Sequence, residues 1–295
     1  MFRRTTKSRG FRHAAAAALL AALLCVPAAC GAQEAAAVLA KGSGLYFEAS
    51  LAFQKALGRP VQVYDLAASP PSLPRGLKAA AAFGSKAAAY KYPAGAKLII
   101  LLAPGYTPPA GSRATVVSAF PEPAQALAAY RSLQPGLARL AVFYRGSPAA
   151  AYLAELARAA ARLGMEILPV PLDAPENFPD ALRALEGKAH AFWLLPEPAL
   201  INKTSLKVLS EFSCAHKLPF YAPSAGLTEL GAAASFAPGV DEAAAAAADA
   251  VTRALAGEAL PATLYAPRSA LTVNGGFSGR CGLPLKLPGA AGGAR

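Results

Sequence analysis

Glu197 stands between Pro196 and Pro198 at the end of an apolar run, a carboxylate in a stiff turn that suits a ligand amine. The same position also suits a solvated loop charge. Ser85 and Ser147 stand where apolar runs hand over to helical patterns, so hydroxyl and backbone N–H groups there can hold a carboxylate or another anion. A helix cap with no ligand fits those two serines equally well. Tyr46 and Tyr144 offer rings for stacking on a planar molecule, or for packing within the fold. Ser224 follows Pro223 at another strand end, Asp241 reads as a helix N-cap, and Trp193, inside an apolar strand, reads as core.

Catalysis has no comparable footing. There is no GxSxG turn, no Walker loop, no GxGxxG followed by an acidic residue, and no carboxylate pair in a recognisable setting. His13, His190 and His216 are scattered, and neither CxxC nor HExxH occurs, so no metal and no cofactor are expected. The chemistry available is that of binding, and the expectation is a protein that is not an enzyme.

The net charge of +12 would suit nucleic acid if it were clustered. Five of those charges, Arg3, Arg4, Lys7, Arg9 and Arg12, fall in the first dozen residues, and the remaining +7 forms no basic stripe. A solvated surface is expected, with no nucleic-acid partner. The basic start runs into the apolar segment Ala14 to Val26, the length of a signal-peptide core and too short to span a bilayer. Pro27-Ala28-Ala29-Cys30-Gly31 then resembles a lipobox, with residues 1–29 as the signal and Cys30 as the lipidated first residue; ordinary cleavage near Ala32 is the alternative. Of the four cysteines only Cys214 and Cys281 remain in the body; in an oxidising compartment they could pair, although a lone pair in a chain of this size is more often two buried thiols.

The elements that position these groups follow from apolar runs alternating with alanine-rich helical segments, the rhythm of parallel α/β sheets. Strands are predicted at Ala36–Leu39, Val61–Leu66, Lys78–Phe83, Leu98–Leu102, Thr115–Ala119, Leu140–Tyr144, Glu166–Val170, Ala189–Leu195, Phe220–Ala222 and Ala232–Phe236. Helices are predicted at Tyr46–Leu57, Pro148–Leu163 and Glu242–Ala256, each closed by a glycine, with Ser147 capping the second and Glu155 pairing locally with Arg158 or Arg162. So many strands call for two sheets.

In register with this pattern, the stretch from Arg139 to Pro284 is similar to the ABC-transporter substrate-binding family of the tryptophan/tyrosine type. The matching pieces include Leu140-Ala-Val-Phe-Tyr-Arg-Gly-Ser147, His190-Ala-Phe-Trp-Leu-Leu-Pro-Glu197, Lys217-Leu-Pro-Phe-Tyr-Ala-Pro-Ser224 and Leu271-Thr-Val-Asn274. The first half matches less, through Gly84-Ser85 and the helix Leu45–Leu57, and departs at Pro104-Gly105-Tyr106. The resemblance implies the type I periplasmic-binding-protein fold: two Rossmann-like α/β lobes with parallel sheets and three interlobe crossings, near Phe120, Gly231 and Pro261. Residues 30–119 and 232–261 would form the N-terminal lobe, and residues 120–231 and 262–295 the C-terminal lobe. It implies a monomer that closes on a small organic solute such as an amino acid and presents it to an ABC permease; the alternative is a lipid-anchored sensor of the same fold. Ser85 would then face Ser147 and Glu197 across a common cleft.

Export processing is the first testable expectation. The intact mass of the protein from the membrane or periplasmic fraction should correspond to a chain that no longer begins at Met1, and Cys30→Ser should release the protein from the membrane.

Overall fold

Ala35–Leu39 and Ala79–Phe83 are apolar at every position, and a strand without a polar face must be covered on both sides. The computed structural model describes residue 1 and residues 34–287, apart from the side chains of Ser147 and Pro148, and meets that demand with two sheets wrapped by helices. The segment 1–29 and Cys30 lie outside the described residues. No described helix is long and apolar enough to cross a membrane.

The first sheet contains β1 (Ala35–Leu39), β2 (Gln62–Asp65), β3 (Ala79–Phe83), β4 (Lys97–Leu101), β5 (Thr115–Val117) and β11 (Thr263–Leu264), in the order β11-β5-β4-β3-β1-β2, all parallel. The second contains β6 (Arg139–Tyr144), β7 (Glu166–Pro171), β8 (Ala191–Leu194), β9 (Phe220–Ala222), β10 (Ala234–Ala237) and β12 (Ala270–Val273), in the order β12-β10-β9-β8-β6-β7. Only the edge strand β12 runs antiparallel. In each sheet the order reverses beside the first strand, and parallel sheets gather ligands outside the carboxyl ends of the strands around such a reversal.

Helices α1 (Leu45–Leu57) and α7 (Val240–Leu255) pack on each other and on the first sheet, α7 through Ala243, Ala244, Ala247, Ala248, Ala250 and Val251. A buried methyl contributes only about 0.8 kcal/mol, so this lobe draws its stability from many close contacts rather than from large side chains. The second lobe is the opposite. One face of its sheet carries Trp193 and Tyr221, which pack against Tyr130 of α3 (Pro123–Leu133) and against α4 (Gly146–Arg162). The other packs Phe143, Phe192 and Phe220 against α5 (Phe178–Arg183) and α6 (Lys203–His216). The short α2 (Ser85–Ala88) and α8 (Gly275–Arg280) complete the helices used below.

All ten predicted strands form, and two of the chain crossings fall later than expected. Phe236 and Ala234 pack into the aromatic core of the second lobe, and the Phe236 N–H donates to Tyr130 Oη at 3.2 Å. The strand β10 therefore belongs to the second sheet, and the chain crosses after Ala237 rather than near Gly231. The next crossing follows Leu264 rather than Pro261, because Thr263–Leu264 pairs with β5 in the first sheet. Val116 N–H donates to Ala262 O, Ser118 N–H to Leu264 O, and the Thr115 hydroxyl to Pro261 O, each at 2.8 Å.

Cys214, on α6, and Cys281, just past α8, form a disulfide with Cα atoms 4.8 Å apart, the pairing rather than the two buried thiols that sequence ranked above it. The reason is tertiary: α8 docks Phe277 against Ala233 and carries Cys281 to the end of α6. Closing a loop across 67 residues restricts the unfolded chain enough to stabilise the fold by roughly 4 kcal/mol. The double variant C214S/C281S should unfold at lower urea concentration, with a loss of about 2–4 kcal/mol read from the transition midpoint and slope.

Candidate functional site

The loop after β4 starts with Leu102 in the left-handed region (φ 53), a conformation that costs a leucine and turns the chain sharply into Pro104-Gly105-Tyr106. That loop, the crossing Val117–Phe120 and the turn Pro196–Glu197 after β8 converge between the lobes. They bound two adjoining compartments, of about 260 Å³ and about 350 Å³, that share Leu102, Pro104, Ser118, Ala119 and Pro196. Tyr106, Phe120, Tyr152, Glu155, Glu197 and Tyr265 line the first. Tyr46, Ser224 and the start of α7 line the second.

The first compartment holds the chemistry. Phe120 and Tyr152 stack at 4.5 Å, and Tyr265 lies 6.3 Å beyond Tyr152. The Tyr265 hydroxyl donates to Glu155 Oε2 at 2.6 Å, a bond between the third crossing and α4. Burial, followed by that carboxylate and Glu122, pushes the Tyr265 phenol well up, so the proton stays on oxygen. Tyr152 is 3% exposed, and its hydroxyl and the Trp193 Nε1 are buried without a hydrogen-bond partner among the described residues. Burial raises the Tyr152 phenol strongly. It also raises the Glu197 carboxyl, an effect partly offset by the guanidinium and backbone N–H of Arg145.

Of the sequence candidates whose side chains are described, three line the cleft: Glu197 in the first compartment, and Tyr46 and exposed Ser224 in the second. Tyr46 stands over Gly84, whose φ of +94 and lack of a Cβ are both required, since a Cβ there would lie 2.8 Å from Tyr46 Cζ. Ser85 is exposed at the first position of α2 and lines neither compartment; Tyr46, over the same turn, supplies the ring at the cleft instead. Tyr144 is half-buried, packs on the aromatic core of the second lobe, and lines neither compartment. Ser147 lies in the first turn of α4, which begins at Gly146 with Arg145 as its N-cap, so it is not the cap expected of it. Asp241 likewise falls inside the first turn of α7, whose N-cap is Gly239. Among the described side chains, Tyr106, Phe120, Tyr152, Glu155 and Tyr265 join Glu197 in the first compartment, and Ser85 does not. Tyr152 and Glu155 are three apart on one helix face, a spacing visible in sequence, but Glu155 was assigned to Arg158 or Arg162 rather than to Tyr265.

No family model and no curated protein matches the chain. Solved structures do. A ligand-free, open substrate-binding protein with adhesive properties from Clostridium difficile aligns with a TM-score of 0.60 and 15% identity over 88% of this chain and 97% of that one. An ABC domain in complex with L-Trp from Streptococcus pneumonia aligns with a TM-score of 0.57 and 13% identity over 87% and 96%. A LacI-family transcriptional regulator from Bifidobacterium animalis aligns with a TM-score of 0.50 and 12% identity over 81% and 96%. At such identities the likeness is one of fold: the chain has the type I periplasmic-binding-protein fold, two parallel-sheet α/β lobes about an interlobe cleft.

The Glu197 environment yields a stability prediction. A carboxyl whose folded pKa is raised above its unfolded value, near 4.5, binds a proton more readily when folded. The stability it contributes is present below that value and is lost as the pH rises through the folded one, so its charge costs stability at neutral pH. Glu197→Gln should melt above the parent at neutral pH, with the difference shrinking as acid protonates the parent; thermal melts across that pH range check it.

Proposed function

We propose that this chain is an exported solute-binding protein that takes a small organic solute between its lobes and presents it to an ABC permease. The observation that carries the reading is the interlobe cleft, where aromatic rings and two carboxylates from different elements converge on a space sized for a small molecule. The hinge supports it: three segments join the lobes, and two of them are bonded edge to edge, which suits closure about one axis. The Cys214–Cys281 bridge supports an oxidising compartment, in line with the basic and apolar start of the chain.

In this reading the site binds rather than reacts, and Glu197, which lines the first compartment beside Arg145, would accept from a ligand amine. Amine-bearing solutes, amino acids among them, are the first class to try.

A thermal-shift screen of the processed protein with amino acids, biogenic amines, nucleosides and sugars tests the proposal. A ligand at a hundred times its Kd adds about 2.7 kcal/mol to the folded state, which for a chain of this size raises Tm by roughly 5–10 °C. Silence across every class would remove the solute-binding reading.

A further inference from the structure

The charges at the cleft have one sign. In a chain of net charge +12, the charged side chains among the described residues of the two compartments are Glu155 and Glu197. Glu122 adds a third carboxylate near Tyr152 and Tyr265. Arg145 is the cation beside Glu197, yet it is exposed and lines neither compartment.

Among the described residues, the hydrogen-bond donors in the same place are uncharged, the hydroxyls of Thr107, Ser118, Tyr152 and Ser224 among them, and the backbone supplies few. Pro104, Pro108, Pro196, Pro198, Pro223 and Pro238 all line the cleft, and each removes a backbone N–H while leaving a carbonyl acceptor. The Tyr265 hydroxyl is committed to Glu155, and the Ser118 N–H to Leu264 O. The start of α7 reaches the second compartment, and a helix start ordinarily welcomes an anion. Here Asp241 and Glu242 occupy its first turn, and the Glu242 carboxylate folds back against Gly239. A ligand carboxylate would thus meet neutral donors at best, together with the like charge of Glu155 and Glu197. The aromatic faces of Phe120, Tyr152, Tyr106 and Tyr265 favour the opposite sign, since a cation over a ring is drawn to its negative face.

Resting on the solute-binding reading above, we infer that the ligand is an organic ammonium ion without a carboxylate, its cationic head between Glu155 and Glu197 and its apolar body against the Phe120–Tyr152 stack. This replaces the zwitterion that the two helix-start serines suggested.

Matched probes that differ only by a carboxylate test it: tyramine against tyrosine, and tryptamine against tryptophan, with glucose as a neutral control, all titrated calorimetrically into the processed protein. At least one amine should bind ten times or more tighter than its amino acid. Glu155→Gln and Glu197→Gln should each weaken that amine roughly tenfold to a hundredfold, the loss expected for a charge-assisted hydrogen bond. Both substitutions keep an oxygen acceptor, and their melting curves show that the lobes remain folded. An amino acid that binds as tightly as its amine, or glucose binding alone, would overturn the ammonium assignment and leave solute binding standing. So would amine affinity unchanged in both variants. If no probe of any charge binds here or in the wider thermal-shift screen, both readings fall together.

Discussion

The parallel pairing of Thr115–Val117 with Thr263–Leu264 holds the edge of the first sheet and, in the same few hydrogen bonds, the two chain segments about which the lobes meet. Ser118, Phe120 and Tyr265 follow directly from those strands and line the cleft, so the wall of the site and the hinge are one piece of backbone. The Tyr265–Glu155 hydrogen bond ties that piece to α4 in the second lobe. Turning one lobe against the other must therefore move the floor of the cleft, which couples the position of the lobes to whatever occupies it.

The two lobes solve the same topology with different materials. Around the first sheet the buried positions are mostly alanine, and the helices lie close because nothing keeps them apart. Around the second, stacked and edge-on aromatic pairs fill the space, Tyr130 with Tyr221 at 4.1 Å and Phe192 with Phe220 at 5.2 Å. The aromatic side of the cleft is an outgrowth of that second core: Tyr152 touches Trp193 on one side and Phe120 on the other. Polar atoms left without partners, the Tyr152 hydroxyl and the Trp193 Nε1, sit where this packing approaches the cleft.

Much of the fold was legible because apolar runs bounded by glycine and proline mark strands and helices locally. Ten strands were read this way, whereas Thr263–Leu264 is two residues long and exists only through its partner Val116–Val117 in the distant first half of the chain, a relation no local pattern carries. For the same reason Ala234–Ala237 was visible as a strand while its sheet was not. At the cleft, Glu197, Tyr46 and Ser224 were readable from the rule that ligands gather after strands. Glu155 escaped because it stands well inside a helix, where its spacing to Arg158 and Arg162 suggests a surface pair and its actual partner lies 110 residues downstream. Ser85 and Tyr144 follow strands too, but the turn geometry at Gly84 and the packing of the second core leave them outside the two compartments.

The interleaving of the chain also governs when the molecule can come into being. The first sheet lacks its edge strand until residue 264 exists, α1 lacks its partner α7 until residue 255, and the second sheet lacks β12 until Val273. At synthesis rates of about 5–20 residues per second, roughly 10–50 seconds separate the first strand of the N-terminal lobe from its last. Throughout that interval neither lobe is complete, and long-range parallel pairings of this kind are slow to close even once their parts are present. A polypeptide arranged in this order completes its first sheet only at Leu264 and its second only at Val273, so the two lobes reach completion almost together rather than one after the other.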